Sequence, residues 1–515
     1  MTPAPVTHRT AEENLGLGYL AAVLRGSRYQ VRVVDGWLAG LTSEQIAAEV
    51  LDGGWPLLVG FACYRSNMAR ALEIAGLLRG AGFGGLLVAG GYGPTFHPAE
   101  FLAAGFDVVV RGEGEQTIVE LAAYAATGSP LLTSVAGISW HDTDGRVVHN
   151  PARAPTVDLD ELPLPARDTL ALTLARRSLV HVQSSRGCQA SCTFCSIVAF
   201  ERLGGGPQWR QRSITGFVDE LEALAAQGVR YVKVIDDSLV EPPRGPAWCA
   251  ELAVEITGRG LTMGLRGQVR ADRVDDDVLA PLAAAGFFSF ACGIENFSPT
   301  ALRRMAKRAD VADNWRALAG FARHGLIVQA GHILFDHATT MAELEDNWAG
   351  MTAHPQIVSK GVFTEMYAAA GTPFTRTLDR RGLLQIDTTG LGNNHYPVAD
   401  PAARTVYHAL KGWQRSHSRI YDMTIDPLSA PKAIDAPDRA VFHELAIALR
   451  QSDLRFFRAV LDAVTDGGTA QELAEFTEER ITATAGWYRN LAVRTDAAYT
   501  SAGLTYDAED NPFIC

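Results

Sequence analysis

The sequence predicts an α/β protein with an N-terminal doubly wound, Rossmann-like domain, a partial (βα)6 barrel and a mainly helical C-terminal domain. Short apolar runs alternate with amphipathic helical stretches over residues 14–124, a pattern typical of a doubly wound parallel sheet. The alternation resumes over 180–372 with six strand–helix repeats, which favours a partial parallel barrel. After Gly382 the pattern becomes mainly helical.

The domain boundaries are predicted from these changes of pattern. The first domain covers residues 1–135, and residues 136–178 form a linker in which prolines interrupt the periodicity. The barrel covers residues 179–384, and the helical domain, which would cap the barrel, covers residues 385–515. A chain of 515 residues is long enough for several domains with separate cores.

The first domain is predicted to place its functional residues at one edge of its sheet. Its predicted helices are 14–25, 43–51, 67–81 and 115–126, and its predicted strands are 30–35, 57–62, 86–90 and 107–111. Ligands of open parallel sheets bind beyond the carboxyl ends of the strands. The last three strands end in glycines and polar side chains that would line this edge: Tyr64, Arg65, Ser66 and Asn67; Gly90, Gly91, Tyr92, Gly93 and Thr95; and Gly112, Glu113, Gly114 and Glu115.

The elements of the barrel and of the C-terminal domain are predicted from the same patterns of apolar and polar residues. The six predicted barrel strands are 180–184, 230–236, 262–268, 288–293, 326–334 and 358–366. The predicted C-terminal helices are 400–416, 436–449, 452–464 and 469–495. Catalytic groups of parallel barrels lie at the carboxyl ends of the strands.

Composition and charge exclude several classes of function. The 46 Lys and Arg against 58 Asp and Glu give a net charge of −12, which disfavours binding to nucleic-acid phosphates. No apolar run reaches the roughly 18 residues of a membrane helix. The first dozen residues lack the features of a secretory signal, so we expect a cytoplasmic protein without disulfides.

Three of the seven cysteines form a motif. Cys188, Cys192 and Cys195 make a CxxxCxxC directly after the first predicted barrel strand. Three thiolates on such a loop can hold three irons of a [4Fe–4S] cluster and leave the fourth iron open to another ligand. A zinc site would need a fourth ligand, and His181 and Cys249 do not lie at a usual zinc spacing. Three chance core cysteines are the other alternative, which the polar residues between them disfavour.

This motif, with the aromatic Phe194 before the third cysteine, resembles that of the radical S-adenosylmethionine (SAM) superfamily. Later strand ends fit the same resemblance, namely 234–238, 267–270, 293–295 and the closing stretch 371–384. Taken singly, each segment has an ordinary structural explanation, such as a helix cap or a surface charge. The resemblance implies SAM-binding roles for Phe194, Asp236, Asp237, Gln268, Arg270 and Glu295.

The N-terminal domain indicates which branch of the radical SAM superfamily the chain resembles. Asn14–Ala22 and the two glycine-rich strand ends 90–98 and 111–115 resemble the cobalamin-binding domain of cobalamin-dependent radical SAM enzymes, the class B radical SAM methyltransferase family. Glycine-rich turns let the backbone approach a large flat macrocycle. A dinucleotide site is a competing interpretation, although no GxGxxG follows the first strand, and a regulatory or vestigial sheet is another.

Two features depart from the cobalamin-binding pattern. The chain lacks the DxHxxG signature that supplies a lower axial ligand to cobalt, and little sequence precedes Asn14 to form the expected first strand. The resemblance places the loop with Arg65 beneath the corrin. A guanidinium stays protonated and cannot coordinate cobalt, so Arg65 would oppose axial ligation. Alternatively, Arg65 would pair with a phosphate or a corrin amide.

The resemblance implies a C-methyltransferase that uses a [4Fe–4S] cluster, SAM and cobalamin. It would transfer a methyl group from SAM, via methylcobalamin, to a carbon of a small-molecule or peptide-derived natural-product precursor, with electrons from an external low-potential donor. The candidate catalytic or substrate residues are Arg65, Glu295, Gln329, His332, Asp336 and Tyr367. The alternatives are a cobalamin-dependent radical SAM cyclase or ring-rearranging oxidase, and a non-catalytic cobalamin sensor.

Overall fold

The computed structural model describes residues 1–3, 11–52, 54–359, 362–386, 394–429 and 432–505, apart from the side chain of Arg65. The chain divides into two units. The first consists of Met1–Gln189, Ser196–Glu220 and Ile386–Asn393, and the second consists of Ala190–Cys195, Leu221–Gln385 and Asn394–Cys515. The predicted boundaries 1–135, 136–178, 179–384 and 385–515 stay predictions.

The first unit alternates helices and strands. Its elements are α1 (Leu15–Gly26), α2 (Gly36–Ala39), α3 (Ser43–Leu51), β1 (Leu58–Ala62), α4 (Met68–Gly80), β2 (Leu86–Gly90), α5 (Tyr92–Phe96), α6 (Pro98–Ala103), β3 (Val108–Val110), α7 (Glu115–Thr127), β4 (Ile138–His141), β5 (Val147–His149), α8 (Leu170–Ala175), β6 (Val180–Val182), β7 (Ser185–Gly187), α9 (Ser196–Glu201) and β8 (Trp209–Gln211). Helix α10 (Ile214–Ala226) crosses the division between the units.

The second unit begins with four parallel strands and ends in helices. Its elements are β9 (Tyr231–Val234), α11 (Pro246–Gly258), β10 (Gly264–Arg270), α12 (Asp276–Ala284), β11 (Phe287–Glu295), α13 (Pro299–Arg304), α14 (Val311–Arg323), β12 (Ile327–His332), α15 (Met341–Ala353), α16 (Pro373–Arg380), α17 (Pro401–Ser416), α18 (Ser418–Ser429), α19 (Ala436–Thr465) and α20 (Ala470–Ser501).

The sheet of the first unit has the order β1-β2-β3-β4-β5. Strands β1 to β3 are parallel, and the β4–β5 hairpin adds two antiparallel strands beside β3. Apolar faces of the neighbouring helices cover the sheet, with Ile74, Leu78 and Phe101 fully buried in its main core. This packing leaves the carboxyl ends of β1, β2 and β3 together at one edge, as predicted.

The predicted strand 30–35 is wrong. Among the described residues this segment makes a single parallel bridge, between Thr2 and Asp35, instead of a ladder. The physical reason is that Asp35 ends the extended stretch by capping α2, where its carboxylate accepts from Leu38 N at 3.1 Å. Residues 1–3 lie beside β1 instead, since the Met1 ammonium donates to Gly60 O at 2.5 Å and Ala62 N donates to Met1 O at 2.8 Å.

The strands β9 to β12 of the second unit run in parallel in the order β12-β11-β10-β9. A bulge between Gly293 and Glu295 interrupts the register of β11 with β12. The predicted strand 358–366 is wrong, because its described residues make only two separate bridges, Gln329–Val358 and Phe335–Glu365. The described residues 358–359 and 362–366 therefore contribute separate bridges and not a continuous ladder.

The C-terminal region is helical as predicted, with two differences. The predicted helices 436–449 and 452–464 are one helix, α19, because no Gly or Pro separates them. Helix α18 was not predicted, because its buried polar residues, Asp422, Thr424 and Asp426, hide the amphipathic pattern. The α/β class, with a parallel sheet in each unit and a helical C-terminal region, is confirmed. Within the described ranges no helix has both the length and the apolar character to cross a membrane.

Candidate cofactor and active site

The loop after β1 is held by Asn67. Its side-chain amide donates to Pro3 O at 3.2 Å and to Ala62 O at 3.4 Å, and its Oδ1 accepts from Tyr64 N at 2.8 Å. Asn67 is buried and shapes the loop, whereas the Tyr64 side chain is 47% exposed at the edge of the sheet. Ser66 is partly buried, and residues 65–67 form a 3-10 turn. The side chain of Arg65 lies outside the described part, so its place under a corrin stays a prediction.

The glycines after β2 allow two loops to approach each other closely. Gly91 has φ +102°, and a Cβ at this position would lie 2.6 Å from Cys63 O. Thr95 Oγ1 donates to Gly91 O at 2.7 Å and accepts from Gly112 N at 3.2 Å, which ties the loop after β2 to the loop after β3. The result is an edge made largely of backbone.

The remaining residues of this edge fit a large flat ligand. Gly112 has φ +87°, and nothing lies within 4 Å of the position of its Cβ, so open space adjoins the loop. Gly93 N donates to Cys63 O at 3.2 Å, and the Tyr92 ring packs on Phe96 with 4.7 Å between centroids. Gly90 and Gly114 complete the glycine-rich edge predicted from the sequence. Such a surface can accept a macrocycle that a side chain would obstruct.

Gly91→Ala tests whether this close approach is required. We expect the substitution to lower the free energy of unfolding by about 2 kcal/mol or more, because alanine disfavours this φ and its Cβ would strike Cys63 O. We also expect weaker cobalamin binding in equilibrium dialysis. The matched control is Gly80→Ala at the end of α4, where nothing lies within 4 Å of a Cβ. Equal unfolding curves for the two variants would contradict the assignment.

The carboxylates of the loop after β3 are paired with arginines. Glu113 Oε1 lies 3.0 Å from Arg186 Nη1 and 2.7 Å from Arg210 Nη1, and Glu115 Oε1 lies 2.7 Å from Arg186 Nη2. Burial alone would raise the pKa of Glu113, but the two guanidiniums outweigh it and hold that pKa below its usual range. The predicted cofactor contact of Glu113 therefore needs a correction, since its carboxylate contacts Arg186, Arg210 and Thr156 N.

The cysteine loop is held by backbone hydrogen bonds on both sides. In the first unit Cys188 N donates to Gln208 O at 3.1 Å, just after the antiparallel β7–β8 ribbon. Gly187 is required there, because it has φ +86° and a Cβ would lie 2.1 Å from Gln208 O. In the second unit Cys195 N donates to Cys192 O at 3.3 Å, and Thr193 N donates to Met305 O at 2.9 Å.

The thiols of this loop fit an iron–sulfur cluster better than a single metal ion. Cys188 and Cys195 are partly exposed, while Cys192 is buried. No group of three His, Cys, Asp or Glu side chains in the described part of the chain is arranged to hold one metal ion. A four-iron cluster takes its thiolates on separate irons and therefore accepts a wider arrangement.

Phe194 joins an apolar wall of the second unit. Its ring is partly buried and packs against a cluster formed by Ala301, Met305, Met366, Ala368, Phe374 and Leu378. Phe374 N also donates to Thr193 O at 2.9 Å, which fixes the loop next to this wall. Stacking of Phe194 on adenine stays a prediction.

The ends of β9 and β10 carry ion pairs and one exposed amide. Asp236 is buried, with its Oδ2 3.5 Å from Arg244 Nη1. Arg270 forms two ion pairs: its Nη1 lies 3.1 Å from Glu241 Oε1, and its Nη2 lies 2.6 Å from Asp272 Oδ2. Gln268 is exposed and donates to Asp237 O at 3.2 Å. Of the predicted SAM-binding side chains here, Gln268 is the one that faces open space.

Lys307 is a site residue that sequence analysis missed. Its buried Nζ lies 2.8 Å from Glu295 Oε1, and Glu295 has φ +59°. Burial alone would lower the pKa of Lys307, but Glu295 and the neighbouring Cys192 raise it above its usual range. A Cβ on Gly293 would lie 2.5 Å from Glu295 Oε1 and 2.7 Å from Lys307 Nζ, so the pair requires this glycine.

The other candidate residues lie in different environments. Gln329 accepts from Arg266, whose Nη1 also donates to Ser289 Oγ at 2.8 Å. Arg304 Nε donates to Asp336 Oδ2 at 2.8 Å, and Ala338 N donates to Asp336 Oδ1 at 2.7 Å, so this carboxylate holds a turn, and its catalytic role stays a prediction. The side chain of Tyr367 is 37% exposed.

His332 also needs a correction. Its Nε2 donates to Asn347 Oδ1 of α15 at 3.1 Å, on the opposite side of β12 from Gln329. Its Nδ1 has no hydrogen-bond partner among the described residues, and burial lowers the pKa of His332 to about 4. His332 is therefore a neutral packing residue between the strands and α15, and we do not retain it as a substrate contact.

This environment predicts a pH dependence of stability. The folded state keeps His332 neutral, whereas the unfolded chain protonates it near pH 6.5, so the free energy of unfolding falls as the pH drops from 6.5 towards 4. From this group alone we expect a loss of about 2 kcal/mol between pH 7 and pH 5. His332→Gln, which retains a donor for Asn347, should flatten this part of the profile in urea unfolding. Parallel profiles for the variant and the natural protein would refute the assignment.

Two family models match the chain in succession. The B12 binding domain matches residues 6–122, and the radical SAM superfamily matches residues 182–346. The first match contains the glycine-rich edge, and the second contains the three cysteines and the Glu295–Lys307 pair. The chain belongs to the cobalamin-dependent radical SAM enzymes. Its cofactors are a [4Fe–4S] cluster, SAM and cobalamin.

Relatives of this cobalamin-dependent radical SAM enzyme include proteins with different reactions. An uncharacterized methyltransferase of Pyrococcus horikoshii is 28% identical over 64% of this chain and 71% of its own length. The anaerobic magnesium-protoporphyrin IX monomethyl ester cyclase of Rubrivivax gelatinosus is 27% identical over 64% of this chain and 60% of its own length. Both a methyltransferase and a cyclase are thus similar to this chain over 64% of its length.

A solved structure shows the same fold. The cobalamin-dependent SAM radical enzyme OxsB, with aqua-cobalamin and SAM bound, matches 95% of this enzyme and 82% of its own chain with a TM-score of 0.73. The identity of 19% limits this likeness to the fold. Because these relatives are enzymes, the non-catalytic cobalamin sensor is set aside.

Proposed function

We propose that the enzyme transfers a methyl group from SAM to a carbon atom of a small-molecule or peptide-derived natural-product precursor. The observation that supports this most strongly is the combination, on one chain, of the B12-binding and radical SAM matches with a methyltransferase relative. When bound, cobalamin supplies a methyl carrier, and the cluster with SAM supplies a source of a carbon radical.

The chain's own residues would bind and orient these groups. Cys188, Cys192 and Cys195 would hold the cluster, and the backbone edge around Gly91 and Gly112 would face the macrocycle. In the second unit, Asn347 holds His332 and Arg304 holds Asp336.

The second unit offers polar side chains that a compact substrate or SAM can contact. Gln268 and Gly331 are exposed at the strand ends, and the Glu295–Lys307 pair lies beside Gly331, whose Cβ would be 3.5 Å from Glu295 Oε2. Glu295, Gln329 and Tyr367 remain the candidates for substrate contact. The two glycines of this region, Gly293 and Gly331, leave room that side chains would fill.

Partners of the enzyme belong to the proposal as well. SAM cleavage consumes an electron, which an external low-potential donor would deliver to the cluster. The net charge of −12 is unsuited to a nucleic-acid substrate. We therefore propose a small molecule or a peptide-derived compound as the substrate.

The second candidate function is a cyclase or ring-rearranging oxidase with the same cofactors. The relative from Rubrivivax gelatinosus, a cyclase at 27% identity, is the observation that favours it. In that reaction the 5′-deoxyadenosyl radical would act on substrate while the methyl group of SAM stays in place. The fate of that methyl group therefore separates the two functions.

An isotope experiment tests the proposal. The protein, with its cluster reconstituted and cobalamin supplied, is incubated anaerobically with SAM carrying a ¹³C-labelled methyl group and a low-potential reductant. Mass spectrometry of the recovered cobalamin should show the label. If 5′-deoxyadenosine accumulates while cobalamin stays unlabelled, the cyclase or ring-rearranging function replaces the methyltransferase.

A further inference from the structure

We propose that Glu113 is a positioning residue that fixes Cys188, the first ligand of the cluster, against the cobalamin-binding edge of the first unit. Glu113 and Cys188 both belong to this unit, so the contacts that connect them lie within it. The inference goes beyond the proposed function, because it concerns the geometry of two cofactors and not the reaction that they perform.

The central contact joins one carboxylate to a pair of arginines. Arg186 of β7 and Arg210 of β8 stand directly opposite each other in the antiparallel ribbon. Both donate to Glu113 Oε1, at 3.0 Å and 2.7 Å respectively. Like charges directly opposite each other in a ribbon repel, and the carboxylate of Glu113 offsets this repulsion by pairing with both guanidiniums, so one carboxylate holds a residue of each strand.

Cys188 is coupled closely to this ribbon. It follows Arg186 by two residues, a distance of roughly 7 Å along an extended strand. Gly187, between them, pairs with Trp209, and Cys188 N donates to Gln208 O. A shift of the ribbon therefore carries the backbone of Cys188 with it.

The other end of the contact is fixed to the sheet edge. Glu113 follows Gly112, whose N donates to Thr95 Oγ1, and Thr95 Oγ1 donates to Gly91 O. Glu113 Oε2 also accepts from Thr156 N at 2.9 Å. Hydrogen bonds, with the peptide link from Gly112 to Glu113, thus connect the loops that would face cobalamin to β7, the strand that Cys188 follows.

The contact of Glu113 with Arg186 and Arg210 is largely shielded from solvent. The side chains of Arg210 and Arg186 are 1% and 11% exposed, and that of Glu113 is 14% exposed. Glu115 and Glu201 provide one further carboxylate each, to Arg186 and Arg210 respectively. Buried ion pairs add little net stability but can select one arrangement of the groups they join, and a cluster ligand needs such an arrangement.

The test uses Glu113→Gln, with Glu201→Gln as the matched control. Glu201, the last residue of α9, binds the same Arg210 through its own carboxylate oxygen Oε2. Iron, sulfide and cobalamin contents are measured first for both variants. Electron paramagnetic resonance (EPR) of the protein holding the reduced cluster and cobalt(II) cobalamin then reports the magnetic interaction of the two centres, which depends on their separation.

We expect Glu113→Gln to keep both cofactors but to change the microwave power at half-saturation of the cobalt signal at least twofold. Glu201→Gln should match the natural protein. An unchanged EPR interaction in Glu113→Gln would overturn the proposal. Loss of cobalamin with an unchanged cluster would also overturn it, because Glu113 would then be a direct cobalamin ligand.

A second variant covers the case in which Glu113→Gln does not accumulate as folded protein. Arg210→Lys keeps the charge opposite Glu113 but loses the planar fork that holds Glu113 and Glu201 together. A changed interaction between the two centres supports the positioning role, and an unchanged one refutes it. Neither readout depends on whether the enzyme methylates or cyclises its substrate. Failure of the positioning role can therefore be distinguished from failure of the proposed methyltransferase function.

Discussion

Replacing Cys192 with alanine is expected to abolish the [4Fe–4S] cluster and all cleavage of SAM while leaving the protein folded. Cys192 is one of only three thiols in the CxxxCxxC loop, and a cluster that lacks one of three protein ligands is not retained. Iron and sulfide analysis and the yield of 5′-deoxyadenosine measure the effect. Cobalamin binding should persist, because the backbone edge predicted to hold it lies in the first unit.

The matched control is Cys249→Ala. Cys249 is a buried thiol of α11 that lies outside the loop, so its loss removes a small apolar group and no cluster ligand. This variant should keep its full iron content and its SAM cleavage. Retention of a complete, SAM-cleaving cluster in Cys192→Ala would refute the assignment of the loop.

The second large effect concerns Lys307→Met. Removal of the ammonium leaves Glu295 with an unpaired charge in a buried position, and breaking one half of a buried pair costs about 3 kcal/mol. We expect a lower midpoint of urea unfolding for the second unit and at least a tenfold loss of SAM cleavage. We expect the loss of SAM cleavage because the Glu295–Lys307 pair lies beside Cys192 and shapes the strand end around Gly293.

Two further variants separate stability from chemistry. Lys411→Met removes a partly exposed partner of Glu365, 3.9 Å away, and should cost roughly 1 kcal/mol or less. The double variant Glu295→Gln with Lys307→Met leaves no unpaired charge, so it should recover much of the stability without recovering SAM cleavage. Recovery of both would show that the pair acts through folding alone.

Much of the fold follows from local patterns. Strands β1, β2 and β3 lie where apolar runs end in glycine or polar residues, because parallel strands buried on both faces read as continuous apolar segments. Strands β9 to β12 overlap the predicted strands, although polar residues such as Arg266 and Gln268 interrupt their apolar character. The cysteine loop and the glycine-rich edge were also predictable, since three cysteines in eight residues and left-handed glycines have few structural alternatives.

The missed features depend on partners distant in sequence. Glu113 looks like a ligand of an exposed loop until Arg186 and Arg210, which are 73 and 97 residues away, are seen to hold it. His332 looks like a strand-end group, and only its contact with Asn347 shows that it points away from Gln329. Lys307 carried one usable signal, because it is one of five lysines in a chain that otherwise uses arginine for positive charge.

The measurement that tests the central claim most directly compares the products of SAM with and without cobalamin. The reconstituted protein is incubated anaerobically with SAM and a low-potential reductant, and S-adenosylhomocysteine and 5′-deoxyadenosine are quantified by mass spectrometry. A cobalamin-dependent methyltransferase should form S-adenosylhomocysteine only when cobalamin is supplied, and the amount of 5′-deoxyadenosine should separate radical from polar methyl transfer. Formation of 5′-deoxyadenosine alone, even from protein that holds cobalamin, would contradict methyl transfer.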